Sequence, residues 1–284
     1  MAVKVIRQPS GIQDPVAISP ALVADWLVKF LQGELKVRRN IHRGVLGLSG
    51  GVDSAVVAYL LARALGPENV FAFKMPYKLS SQESLDHAAL VEKDLGITAR
   101  TIEITGMVDG YLSTAEPDIS PARLGNVCAR CRMIVLFDQS AKLGGLPIGT
   151  GNKSERLFGY YTWHADDSPP INPLGDLLKT QVWELARHLG VPDAIVNKPA
   201  SADLIKGQTD EGDFGIKYAE ADPILHYLTL GFPKEKIVEL GFDLDKVDLV
   251  WKKVDGTHWK RKLPTVAMMS SAAIGEFYLR PVDY

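Results

Sequence analysis

Cysteine is nearly missing. Cys128 and Cys131 are all that the 284 residues contain, so a disulfide framework is excluded and a four-ligand zinc site would need ligands from elsewhere. The two lie in the helix-like run ARLGNVCARCRMIVLFDQSAKLGG and read as half-buried helical thiols rather than a redox or metal pair. A basic excess is missing too: 32 Lys+Arg stand against 34 Asp+Glu, a formal charge of −2. That balance argues against a chain built to coat nucleic acid or a membrane surface. Uncharged apolar runs such as Met133 to Phe137 fall far short of the roughly 20 residues that cross a bilayer. The opening MAVKVIRQPSGIQDP carries charge and proline where a secretory signal is apolar. These absences predict a cytoplasmic protein with no membrane or nucleic-acid partner.

What is present is ordinary globular material, 46% apolar and 23% charged, enough for a sizeable core. No repeat, low-complexity tract or linker breaks it, so one domain is expected over residues 1–284. Ser19-Pro20 reads as a helix start, with Trp26, Leu27, Phe30 and Leu31 recurring at helical spacing on a helix expected to pack across a sheet. Arg43 to Leu48 reads as a buried strand and Val52 to Leu65 as a helix stopped by Gly66-Pro67. Asn69 to Met75 and Ala99 to Ile104 read as further strands around a helix from Ser80 to Leu95, with Ser80 and Glu83 at capping-box spacing. Leu146 to Gly149 follows as a fourth strand, and Lys179 to Leu189 as a helix. The alternation predicts an α/β fold, a doubly wound parallel sheet with helices on both faces and a helical C-terminal extension. Residues 159–175 form a long Gly/Asp/Pro-rich loop of the kind that carries function, and residues 201–215 read as a polar, weakly periodic lid.

The strongest local signal is Leu48-Ser49-Gly50-Gly51-Val52-Asp53-Ser54, where the first strand becomes a helix. Adjacent glycines allow a tight turn with amides facing outward, and the helix N-terminus adds a positive dipole end, so the turn suits phosphate. Asp53 would repel bare phosphates, which implies an intervening Mg²⁺. Neither GxxxxGK[ST] nor GxGxxG follows the strand, so Walker and dinucleotide loops are excluded. As bare structure, the segment also reads as a plain βα turn with Asp53 capping the helix.

SGGVDS resembles the pyrophosphate-binding loop of the ATP pyrophosphatases. Gly125-Asn126-Val127 with Ala129-Arg130-Cys131-Arg132-Met133, then Gly149-Thr150-Gly151-Asn152-Lys153-Ser154-Glu155, resemble the GN-x-x-AR-x-RM and GTGNKSE segments of the ammonia-dependent NAD synthetases. Lys179-Thr180-Gln181-Val182, Ser201-Ala202-Asp203-Leu204 and Gly207-Gln208-Thr209-Asp210-Glu211 are similar to the same family in the same order. The resemblance implies a nucleotide-binding core over 41–215 between N-terminal (1–40) and C-terminal (216–284) helical segments. It also implies a carbon–nitrogen ligase that amidates deamido-NAD with ammonia, with ATP as co-substrate and Mg²⁺ as metal, acting as a homodimer.

By the same resemblance Gly47, Leu48, Ser49, Gly50, Gly51, Val52, Asp53 and Ser54 hold ATP, together with Thr150, Lys179 and Ser201. Asp53 and Glu155 hold the metal, while Asp53, Lys179 and Asp210 serve catalysis. Arg130, Trp163, Asp166, Trp259 and Lys260 face the dinucleotide. Arg130 and Arg132 cannot point the same way on one helix, so Arg132 is expected to pair internally. Asp53, as a loop residue, is expected to be dispensable for folding.

The family follows GYFTK with YGDGG and a later aspartate, whereas this chain reads Gly159-Tyr160-Tyr161-Thr162-Trp163-His164-Ala165-Asp166-Asp167-Ser168-Pro169-Pro170, and the usual HKR becomes Trp259-Lys260-Arg261. Trp163 and Trp259 can stack on a pyridine or adenine ring or simply pack a loop. A related ligase acting on a different nucleotide or carboxylic acid, and a silent nucleotide sensor, stay open beside the first reading. His164, Asp166 and Asp167 are expected to cap a turn rather than bind metal.

Overall fold

The computed structural model describes residues 14–201 and 209–262, with residues 266, 267 and 269. Helix α1 (Pro20–Gln32) begins with proline in its first turn and continues into one π-helical stretch, Gly33–Val37. Then come β1 (Gly44–Gly47), α2 (Val52–Leu65), β2 (Val70–Lys74), α3 (Gln82–Leu95) and β3 (Thr98–Thr101). They are followed by α4 (Thr105–Ala115), α5 (Pro121–Leu143), β4 (Leu146–Pro147), α6 (Lys153–Phe158), α7 (Lys179–Leu189) and α8 (Asp193–Val196). Among the described residues four further helices follow, α9 (Asp210–Phe214), α10 (Tyr218–Thr229), α11 (Lys234–Glu239) and α12 (Leu244–Gly256), with a 3₁₀ turn at His258–Arg261.

The strands are parallel in the order β3-β2-β1-β4. A single bridge from Ile148 to Ile171 carries the pairing one step past β4 and anchors the loop after α6 to the sheet. Alternation along the strands feeds two cores. Leu46, Val70 and Ala72 face α2 and α3, whereas Val45 and Phe73 face Val108 of α4 and Cys128, Cys131 and Val135 of α5. That is the doubly wound arrangement the alternation predicted. Leu60, Leu61, Leu46 and Leu185 are fully buried in the first core, and each contributes on the order of 1.5–3 kcal/mol by leaving water. Both cysteines are buried and burial pushes both thiols up, which disfavours thiolate chemistry.

A third apolar cluster lies under the C-terminal helices. Phe158, Phe214, Tyr218, Ile224, Leu225 and Val250 join α6, α9, α10 and α12, and Trp183 of α7 packs against this cluster and the first. The loop-to-helix junctions near the site therefore rest on two packed cores rather than on exposed loops.

Three expectations change. Helix α1 packs mainly against α2 and α7 instead of the sheet, so Leu27 and Leu31 are buried but Trp26 is 68% exposed. The cap of α3 is Ser81, whose hydroxyl accepts from the Ser84 amide at 3.2 Å, while Ser80 accepts from the Tyr77 amide at 3.1 Å. Two adjacent serines compete for one cap, and spacing alone cannot choose between them. Residues 202–208 of the expected lid, 201–215, lie outside the described residues; within the remainder, Asp210–Phe214 is helix α9, capped by Thr209 and fastened through Phe214 to the third cluster.

Candidate active site

The turn between β1 and α2 is held open by its own hydroxyls. The Ser49 amide donates to Ser54 Oγ at 3.2 Å, the Gly51 amide to Ser49 Oγ at 3.2 Å, and Ser54 Oγ to the Gly51 carbonyl at 3.0 Å. Gly50 adopts φ +81, and a Cβ there would lie 2.1 Å from the Ser84 carbonyl oxygen. Side chains are thus excluded from Gly50 twice, by backbone conformation and by the close passage of α3. Replacing it with alanine is expected to raise KM for ATP sharply and to lower the melting temperature, the φ strain alone being worth roughly 1–3 kcal/mol. A normal ATP titration for Gly50→Ala would contradict this loop geometry.

Facing the loop is a buried charge cluster drawn from four helices. Asp53 in the first turn of α2 is ion-paired with Lys179 at the start of α7. Lys179 Nζ also lies 3.9 Å from Glu155 Oε1. Asn152, fully buried, donates from Nδ2 to Asp53 Oδ1 at 3.0 Å. It also caps α6 reciprocally: Glu155 N donates to Asn152 Oδ1 at 2.9 Å and Asn152 N to Glu155 Oε2 at 3.1 Å. The capping box fixes Glu155 where it can face Asp53. Asp210, at the start of α9, is 4% exposed; Tyr218 Oη donates to its Oδ2 at 3.1 Å, and its buried Oδ1 has no partner among the described residues.

Three carboxylates against one ammonium leave the cluster short of positive charge. Burial, then the charge of Asp53, push the Glu155 carboxyl up to about 8, against the pull of Lys179. Burial likewise raises Asp210 despite the opposing effects of Lys179 and Tyr218. For Lys179 burial works against the charged form, but Asp53 and Glu155 outweigh it and hold the ammonium above the usual lysine range. Because Glu155 has a folded value above its ordinary 4.5, it favours the folded state when protonated, and that contribution disappears as pH rises from about 4.5 to about 8. The melting temperature of the protein without added cation should fall across that window, and Glu155→Gln should flatten the fall. An unchanged slope in the variant would remove Glu155 as its source.

Lys179 is 2% exposed and Asp53 is its charge partner. Against the expectation that Asp53 is dispensable for folding, its loss removes the paired carboxylate of a buried ammonium and leaves Glu155 at 3.9 Å and the charge of Asp210.

The remaining expected site residues divide into two groups. Gly47 and Leu48 end β1 beneath the loop, and the Leu48 amide is spent on the Phe73 carbonyl at 2.9 Å. Thr150 follows β4 at the same sheet edge, half-buried, and Ser201 is exposed at the border of the described residues. A second group gathers around the 159–170 loop. Trp163 lies edge-on to Trp259 with ring centroids 5.2 Å apart and stacks on His164 at 4.0 Å. Arg130, exposed on α5, donates to the Trp163 carbonyl at 3.2 Å, whereas Arg132 turns inward to the Met75 carbonyl at 3.0 Å, as expected.

Asp166 accepts from the Thr162 amide and Asp167 from the His164 amide, each at 2.7 Å. Both cap the loop, and among the described residues no group of three His, Cys, Asp or Glu could hold a metal ion. Lys260 spends its ammonium on the carbonyls of Gly159 (2.7 Å) and Tyr161 (2.9 Å). Gly159, at φ +65, allows Thr257 to pack against the loop, since a Cβ would lie 2.4 Å from Thr257 Cβ. In this structure Lys260 therefore pins the loop that carries Trp163, with its ammonium engaged by carbonyls rather than presented to a phosphate.

Residues not singled out from sequence complete the cluster: Asn152, Ser154, Tyr218 and Asp222. Asn152 was findable, since Asn followed three residues later by Glu is a capping-box signature. Tyr218 and Asp222 meet the site only through tertiary packing.

The model of the NAD synthase family matches residues 23–264. The NH(3)-dependent NAD(+) synthetase of Chlorobaculum parvum is 46% identical over 255 residues, 89% of this chain and 91% of that one. Its namesake in Fusobacterium nucleatum is 46% identical over 246 residues, 86% of this chain and 95% of that one. Among solved structures, the NMN synthetase of Francisella tularensis superposes with a TM-score of 0.78 at 30% identity, covering 88% of this chain and 99% of that one. The NH3-dependent NAD synthetase of Campylobacter jejuni, solved with nitrate, gives 0.76 at 32%, covering 88% and 100%. With a family model spanning most of its length and relatives matched nearly end to end, this chain belongs to the NAD synthase family.

Proposed function

We propose that the protein amidates deamido-NAD with ammonia, using ATP and forming NAD, AMP and pyrophosphate. The observation that carries this reading is the pairing of an open, glycine-turned loop with the buried Asp53–Lys179–Glu155 cluster directly in front of it. The nicotinate carboxylate attacks the α-phosphorus of ATP, an oxygen–phosphorus bond forms, and the bond to pyrophosphate breaks. Ammonia then attacks the acyl carbon, the carbon–oxygen bond to AMP breaks, and the nitrogen sheds a proton. No enzyme nucleophile takes part, consistent with the buried, raised cysteines.

The chain's contribution is positioning and charge. Loop amides and the α2 N-terminus orient the phosphates. Lys179 neutralises charge that grows on the leaving pyrophosphate and on the pentacoordinate α-phosphorus. Asp53 and Glu155 would hold Mg²⁺: both offer hard oxygen donors, they face each other across one ammonium, and burial, then the charge of Asp53, raises the Glu155 carboxyl to about 8 where no further cation meets it. When bound there, the ion would supply positive charge that lowers the cost of bringing an anionic carboxylate to the phosphates. Two protein ligands suffice, because magnesium keeps water and phosphate oxygens for the rest. Asp210 supplies a buried carboxylate beside this cluster, with one oxygen that has no partner among the described residues, suited to accept a proton from the incoming nitrogen. We carry the cytoplasmic homodimer forward as part of the proposal, on the family resemblance.

A second acid is favoured by one observation. The Trp163–Trp259 pair stands where the family has charged residues, and the NMN synthetase of Francisella tularensis superposes as well as the NAD synthetase does. Nicotinate mononucleotide is the acid to compare. To test the chemistry, deamido-NAD carrying an oxygen-18 carboxylate is turned over with ATP and ammonium. One label should appear in AMP; label confined to the dinucleotide or lost to water would rule out the acyl adenylate.

A further inference from the structure

Helix α10 carries an aspartate that is fully buried, Asp222, in a position that touches none of the groups expected to meet ATP. Its carboxylate is nonetheless saturated from the site. Ser154 Oγ donates to Oδ1 at 2.6 Å, and the backbone amide and Oγ1 of Thr180 each donate to Oδ2 at 2.8 Å. Ser154 Oγ in turn accepts from the Lys179 amide at 2.9 Å. A continuous chain of bonds thus runs from the backbone of Lys179 through Ser154 to Asp222 and back through Thr180.

The two residues it holds are the immediate neighbours of the two charged groups that face Asp53. Ser154 precedes Glu155 in the first turn of α6, and Thr180 follows Lys179 in the first turn of α7. One carboxylate therefore ties two helix N-termini together, and both leave amides without intrahelical partners and carry positive dipole ends. Without it, α6 and α7 would keep the hydrogen bond from the Lys179 amide to Ser154 and the 3.9 Å approach of Lys179 to Glu155, but would lose the three short directional bonds that fix both helix starts to α10.

We propose that Asp222 is a positioning residue for the amidation, fixing the separation of Glu155 and Lys179 across the metal and phosphate site. The inference rests on the function proposed above. Its reach resembles that of the outer partners of metal ligands, whose removal costs about 10–100-fold in metal affinity or activity.

The test uses the full chain and three variants: Asp222→Asn, Ser154→Ala and Thr180→Val. Each is measured for kcat and KM with deamido-NAD and, separately, for ATP affinity by calorimetry with and without Mg²⁺. Asp222→Asn and Ser154→Ala should each lower kcat by about 10–100-fold and weaken the Mg²⁺-dependent part of ATP affinity by about 10-fold. Affinity for ATP without Mg²⁺ should stay at the wild-type value. Thr180→Val keeps the backbone bond and should fall in between. Should Asp222→Asn fail to fold, Ser154→Ala decides, since it removes one hydroxyl. Wild-type kcat and Mg²⁺-dependent affinity in a variant that only melts earlier would overturn the inference and leave Asp222 a structural tie. A wild-type protein that binds ATP with Mg²⁺ but does not amidate deamido-NAD would instead sink the proposed function, and the calorimetric arm would still judge Asp222.

Discussion

Replacing Lys179 by methionine is expected to lower kcat about 100- to 1000-fold, the usual cost of removing one preorganised group that meets developing charge. Methionine retains the apolar stem in a position only 2% exposed, so the fold has a side chain to pack there. What disappears is the ammonium between Asp53 and Glu155. Removing a cation that competes for the same oxygens should leave the Mg²⁺ requirement unchanged or lower it. The expected signature is thus split: kcat collapses while half-maximal Mg²⁺ does not rise. Arginine should not rescue, because a planar, forked guanidinium does not fit a slot shaped for one compact charge. A modest kcat loss, or loss expressed wholly in the KM for ATP, would reduce Lys179 to a structural counter-ion.

Asp53→Asn is the second large effect, and it reaches both activity and stability. The amide can still accept from Asn152 through its oxygen, so the loop keeps one of its anchors. The negative charge is gone, and Lys179 is left with a carboxylate at 3.9 Å. Breaking one side of a buried ion pair costs about 3–5 kcal/mol, so chemical denaturation should show a clear loss. Turnover should fall at least about 100-fold through loss of an anionic ligand to the metal site. Combining Asp53→Asn with Lys179→Met removes the stranded ammonium, and the double variant should regain stability without regaining activity. Additive stability losses would show that the two side chains do not form one buried unit.

Much of the fold was legible because it depends on local signals. The helix over Lys179–Leu189 ends where Gly190 takes up positive φ, and α2 stops at Gly66 as its sequence announces. β1 and β2 stand out as apolar runs, whereas β3, at Thr98–Thr101, is polar and largely exposed and begins one residue before the expected Ala99 and ends short of Ile104. Helices α6 and α9 are too short, at 6 and 5 residues, to display a helical period; α6 is assigned no element from sequence, and α9 falls within the expected lid. The docking of α1 was misjudged because periodicity names a buried face without naming what buries it.

The site was legible in part for the same reason. Ser49, Gly50, Asp53 and Glu155 sit in contiguous strings whose turn and cap chemistry can be read from spacing. Lys179 stands 126 positions from Asp53, and only the motif resemblance linked the two before the fold did. Asp222 had no sequence signal: a single acid on an amphipathic helix looks solvated until Ser154 and Thr180 are found against it. Lys260, which the resemblance places on the dinucleotide side, is engaged in this structure by the carbonyls of Gly159 and Tyr161, a contact that no motif spacing announces.

The measurement that bears most directly on the account is pyrophosphate release with ATP, Mg²⁺ and ammonium, comparing deamido-NAD, nicotinate mononucleotide and no added acid, with the amide product identified in each case. Fast release with deamido-NAD, matched by NAD formed and negligible without acid, is the predicted result. Release driven by nicotinate mononucleotide alone would move the specificity to the second acid, and no acid-stimulated release at all would contradict the ligase reading itself.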